Sequence, residues 1–335
     1  MKFKVLGTLA AITLSASAAQ AETRLLVNCF WPARHHVCSE VLPAWLDEVE
    51  RVTEGRVTGN LPPRSLAPPP EQLSSVESGI ADVAVQFNGL IQNRVTGPLV
   101  AMQPWVGSND AAAMSRALWA TNQEFFPDEF DTVQLLSQFV ISPGQLYSQT
   151  DTPINSIEEL ASRKIWALPG PLSAITTRLG AGVVSTPAVQ SNEIISRGVV
   201  DGHLGLDAQA VGAFQLMPYT TSNTQFQGAF YTTSFSVFMN QDKWAEISAE
   251  DQAAIMEVSG SVLAESFGST WDTKNRAAEE GYAEASIEVI QADPAFEAAL
   301  VVASAFVTEG WLAAATEAGI DGAAALDFYK AQLAE

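Results

Sequence analysis

Apolar residues recur along the chain with two alternating periods. Residues 24–28, with Leu25, Leu26 and Val27 at their centre, read as a short strand, and Val37, Val41, Trp45, Val49 and Val52 then recur every three to four positions, one face of a helix. A β-α opening is expected. Further strands are predicted over 56–60, 82–87, 133–141, 164–167, 182–186 and 199–204, with helices over 71–78, 110–124, 156–160, 172–179 and 189–197 between them. Ser156 and Ser248 each precede an acidic residue three positions on, the signature of a capped helix start. A helical tract is expected from Ser248 to about 284, followed by helices over 295–315 and 323–333. Leu61 to Pro70 is proline-dense, and Pro68, Pro69 and Pro70 lack backbone donors, so the segment must cross the surface outside any sheet interior. No repeat of fixed period is visible.

Strands alternating with helices argue an α/β class with crossover connections. Two α/β lobes with a helical C-terminus fit best, the second at 147–236 and the first built from 22–146 and 237–335.

Composition narrows the function. Of 335 residues 47% are hydrophobic and 16% charged, material for two ordinary domains, and the net charge of −21 repels nucleic acid and anionic membrane surfaces. Lys2 and Lys4, the apolar run Val5 to Leu14 and the small residues ending Ala19-Gln20-Ala21 form a secretory signal peptide over 1–21, cleaved after Ala21. No later stretch reaches about 18 uninterrupted apolar residues, so the mature chain is expected not to be membrane-embedded. Cys29 and Cys38 have neither metal nor redox spacing. An oxidising compartment allows them to pair around 30–37, and two buried thiols are the alternative.

Reactive constellations are absent. There is no Gly-x-Ser-x-Gly elbow, no His-Glu-x-x-His helix and no phosphate-cradling glycine loop, so neither catalytic residues nor a cofactor are expected. His35 and His36 are adjacent and should point to different sides, while His203 stands alone. Neither arrangement has zinc spacing, and no metal site is expected.

Pro153-Ile154, Ile157-Glu158-Glu159-Leu160, Lys164-Ile165 and Gly198-Val199-Val200-Asp201-Gly202 occur in order, with Gly79-Ile80-Ala81-Asp82-Val83-Ala84 before them and the stretch Ile247-Ser248 to Ile255 after. Together these resemble the DctP-type solute-binding proteins of TRAP transporters over most of the mature chain. The resemblance implies a two-lobed periplasmic binding protein fold with a long hinge-spanning helix. It also implies a small organic solute, usually a carboxylate, held between the lobes and delivered to one small and one large membrane permease subunit.

Several residues depart from that family's pattern. Where an arginine usually follows Lys-Ile and forks onto the solute carboxylate, this chain has Trp166; a second family arginine falls on Gln145, a tyrosine on Asn192 and an asparagine on Gly205. An indole offers apolar area, stacking and attraction for a cation, so a cationic, zwitterionic or neutral solute is expected. Trp31, Phe87, Asn88 and Tyr147 are further candidates for the pocket, with Asp207 as a counter-charge or a helix N-cap. Arg34 is the candidate for rescuing carboxylate binding. Trp45 and Trp119 fit apolar helix faces and belong to the core. A sensor role, signalling through a membrane histidine kinase, is the alternative to transport.

Overall fold

The computed structural model describes residues 23–334. The signal segment and its cleavage after Ala21 lie outside them. Eleven strands form two mixed sheets among the described residues. β1 (Thr23–Asn28), β2 (Val57–Asn60), β3 (Val83–Phe87), β4 (Val133–Val140) and β10 (Ser234–Asn240) make the first, in the order β2-β1-β3-β10-β4. β5 (Gln145–Ser148), β6 (Lys164–Ala167), β7 (Gly182–Val184), β8 (Gly202–Leu206), β9 (Ser222–Gln225) and β11 (Glu288–Gln291) make the second, ordered β11-β9-β5-β8-β6-β7.

β1, β2 and β3 are mutually parallel, as are β6, β7 and β8, each joined to the next through a helix. Such strands are covered on both faces, and β3 and β8 are buried throughout. The periodicity found these βα units because continuous apolar strands and amphipathic helices give strong local signals. β10 is different: it runs antiparallel between β3 and β4, so its pairing partners are far away in sequence. β5 likewise runs antiparallel to both β8 and β9. Neither strand is among those predicted.

The tract expected as one helix from Ser248 is two, Ala249–Glu257 and Gly260–Glu280, broken where Gly260 takes φ 51°. Trp45 Nε1 donates to Ser259 Oγ at 3.1 Å, and Ser137 Oγ donates to the Gly260 carbonyl at 2.7 Å, so side chains satisfy the backbone and hydroxyl at the break. The second of these helices packs on Ala111–Phe125 and β4 on the first-sheet side and on Ala208–Ala213 on the other. It thus spans both lobes. Helix Pro294–Glu317 is long and apolar enough to cross a membrane by length and composition. Here it lies against elements of both lobes, anchored through buried Phe296, Leu300, Trp311 and Ala315. The expected return of 237–335 to the first lobe is interrupted by β11, which pairs in parallel with β9 in the second sheet.

Candidate ligand-binding site

The parallel strands of both sheets direct their carboxyl ends into one crevice, the place where open α/β sheets bind ligands. Chain leaving β1 brings Phe30, Trp31 and His35 to it; β3 ends on Phe87, and β10 contributes Thr233 from just before its start and Phe235. From the second sheet come Leu168 and Pro169 beyond β6, Pro187 to Val189 beyond β7, and Gly205 to Asp207 at the end of β8, followed by Phe214. Trp271 of the lobe-spanning helix closes the back. The cavity is tight, with a volume of about 50 Å³.

Its walls are apolar and rich in aromatic rings. Trp31 stacks on Phe30 at 3.8 Å and on His35 at 5.2 Å between ring centroids, and lies 5.2 Å from Phe235. Phe235 in turn packs against Phe87 at 5.4 Å and Phe139 at 5.0 Å. The Ser234-Phe235-Ser236-Val237 alternation of β10 sends Phe235 to the face opposite its serine neighbours, and this aims the ring. Cys29 and Cys38 form a disulfide with Cα atoms 5.8 Å apart, and the segment it closes carries Phe30, Trp31 and His35. Gly205 sits at φ 102°, where a Cβ would meet Leu172 at 2.2 Å, so no larger residue fits this part of the wall.

Polar groups are few. Among the described residues, no lysine or arginine lines the cavity. Asp207 caps helix Ala208–Ala213 by accepting from Ala210 N–H at 2.7 Å, and its other oxygen accepts from Trp271 Nε1–H. Burial, reinforced by the nearby Glu279, pushes its carboxyl up to about 7 against those two donors. His35 is held well below the ordinary imidazole range by burial and by its neighbour His36, which burial brings to about 4. The two rings were expected on different sides, yet they stack at 4.4 Å and both meet the Gln209 side chain, at 3.3 and 3.2 Å. They occupy the turn leading into the π-helical turn Val37–Val41, where strand alternation does not apply.

Trp31, Phe87, Gly205 and Asp207 therefore line the cavity, and the other sequence candidates stand elsewhere. Trp166 is fully buried behind it: its Nε1 donates to Thr186 Oγ1 at 3.0 Å, bracing the residue before Pro187. The chain of β6 reaches the cavity only two positions later, at Leu168. Asn192 donates to the Phe214 carbonyl at 2.8 Å, and Asn88 donates to Ser234 Oγ at 3.1 Å. Both steady elements that carry wall residues. Tyr147 is buried against His203 at 4.5 Å and hydrogen-bonds Tyr282 at 3.0 Å between hydroxyl oxygens. Gln145 accepts from Phe226 N–H at 3.3 Å and lines a separate polar hollow with Asp272, Asn275 and Glu279. Arg34 is exposed, donates to the Ala213 carbonyl at 3.1 Å, and shares a shallow depression with Glu40 and Lys274. No group of three or more metal-ligating side chains occurs among the described residues.

Sequence reasoning missed Phe30, His35, Phe214, Thr233, Phe235 and Trp271 as wall residues. The cysteine pair was the available signal for the first two. Phe235 and Trp271 had none, because one lies on an unrecognised antiparallel strand and the other in a helix whose inward face only the second lobe defines.

Comparison with known proteins agrees with this architecture. Residues 27–312 match the DctP family model, bacterial extracellular solute-binding protein family 7. The chain is 35% identical over 321 residues to the outer membrane transporter protein TsaT of Comamonas testosteroni, covering 95% of this chain and 94% of that one. A TRAP periplasmic solute-binding protein from Bordetella bronchiseptica, solved with (R)- and (S)-mandelate, superposes with a TM-score of 0.87 at 30% identity, covering 93% of this chain and 98% of that one. A TRAP solute-binding protein from Rhodoferax ferrireducens, solved with copurified benzoate, shares the fold at 23% identity with a TM-score of 0.83, covering 93% and 98%. Proteins of this kind are periplasmic, bind small organic solutes and work with membrane permease subunits. The chain belongs to the DctP family of TRAP-transporter solute-binding proteins.

Proposed function

We propose that this protein captures a small aromatic solute, cationic, zwitterionic or uncharged at its polar end, between its two lobes and delivers it to TRAP membrane subunits. One observation carries the reading: rings from the β1 exit, β3, β10, the end of helix Ala208–Ala213 and the lobe-spanning helix converge on a single cavity that, among the described residues, no cationic side chain lines. Burying about 150 Å² of a ligand ring there gains roughly 4 kcal/mol at 25 cal/mol/Å². A carboxylate buried without a partner costs several kcal/mol, which disfavours aliphatic dicarboxylates. Because the solute touches both lobes, its affinity for the closed arrangement drives closure.

The mandelate bound by the Bordetella relative favours a second reading, an aromatic acid whose carboxylate meets backbone N–H groups. Calorimetric titration of the mature protein separates the readings. Aromatic amines, alcohols and zwitterions binding more tightly than benzoate or mandelate is the expected result; tighter aromatic acids would establish the second reading. Binding of aliphatic dicarboxylates alone would refute both.

A further inference from the structure

Two polar side chains in the aromatic cavity have capacity that the protein leaves unused. Thr233 is 3% exposed, lines the cavity, and its Oγ1 has no hydrogen-bond partner. Other hydroxyls around it are satisfied: Thr232 Oγ1 donates to the Ala101 carbonyl and Ser234 Oγ to the Pro98 carbonyl at 2.6 Å. A buried hydroxyl without a partner costs about 1–3 kcal/mol, so its persistence at a cavity wall points to a partner that arrives with the solute. Asp207 faces the same cavity from the other lobe. Its oxygens accept one hydrogen bond each, from Ala210 and Trp271, and a carboxylate has acceptor sites beyond two. Among the described residues, no lysine or arginine in the wall neutralises it.

We propose that Asp207 and Thr233 are specificity-determining residues that select, among aromatic solutes, those carrying a hydrogen-bond donor, a hydroxyl or an ammonium. This rests on the aromatic capture proposed above and names the substituent that goes with the ring. Asp207 accepts from the donor. Thr233, on the first-lobe side, bonds the solute through its free hydroxyl, so that a solute carrying such groups engages both lobes at once. An aromatic hydrocarbon of equal size fills the same apolar volume and leaves both side chains unanswered. The distinction is large because a site built around polar groups penalises a solute that lacks their partner.

The test uses the mature protein and three probes of similar size, benzyl alcohol, benzylamine and ethylbenzene, titrated by calorimetry against wild type, Thr233→Val and Asp207→Asn. The wild type should bind the better of alcohol and amine at least about tenfold more tightly than the hydrocarbon. Thr233→Val, which keeps the volume, should reduce that preference severalfold. Asp207→Asn should weaken the amine more than the alcohol if an ammonium is the natural group, and both alike if a hydroxyl is. Equal binding of all three probes to wild type, or an unchanged preference in Thr233→Val, overturns the assignment while leaving aromatic capture standing. Failure of every aromatic probe overturns the capture reading itself, and this assignment with it.

Discussion

Replacing Trp31 by alanine removes an indole stacked between Phe30 and His35 on the cavity wall. Aromatic-solute affinity should fall by about thirtyfold or more, the range of a central binding residue. Trp166→Ala, by contrast, hollows a fully buried site and should cost roughly 3–5 kcal/mol of stability. Calorimetric titration and denaturant unfolding of both variants check the contrast; Trp166→Ala losing affinity at unchanged stability would contradict it. The aligned position of Trp166 was legible in the sequence, but its direction was not, because that depends on how the 185–189 segment folds beside β6. His203 supplies a pH dependence. Burial lowers its pKa to about 3, so the unfolded chain takes up a proton below 6.5 that the folded one refuses. Its contribution to stability is present above pH 6.5 and is lost as pH falls toward 3. Melting temperatures between pH 6.5 and 4 should therefore fall less steeply in His203→Gln than in wild type.

Between cysteines nine positions apart, the 30–37 segment is a wall built on a strap rather than on a sheet. Closing so short a loop contributes about 2.5–3 kcal/mol in the chain-entropy estimate. The Cys29→Ala/Cys38→Ala double variant should lose about that much stability and, in addition, lose solute affinity as Trp31 and His35 become mobile. Titration at a temperature where the variant is fully folded separates the two effects, and unchanged affinity would confine the disulfide to a stabilising role. Among the elements, β1, β3, β6 and β8 were recognisable because consecutive βα units announce themselves locally. β5 and β10 were not, since a partly polar strand such as β10 draws its stability from neighbours more than ninety residues away in the chain.

At the scale of the molecule, the lobes meet through a few polar contacts around the cavity. Gln209 of the second lobe reaches both histidines of the first, and Asp207 is held by Trp271. A single such bond nets about 1 kcal/mol, enough to bias closure without locking it. Gln209→Ala should weaken solute binding about fivefold and leave a larger fraction of open molecules, visible as a greater radius of gyration by X-ray scattering at subsaturating solute. The two-lobed plan and the family were legible in the sequence because the Pro153 to Gly202 block preserves the second lobe's βα order. The cavity lining was not, because it is assembled from the ends of strands in both sheets and from one helix that belongs to neither alone. The Cys29–Cys38 bond ties the cavity wall to redox conditions. In a reducing medium those two positions would carry thiols, and the segment bearing Trp31 and His35 would lose its brace; the oxidising periplasm in which proteins of this family work is the setting that lets the brace form.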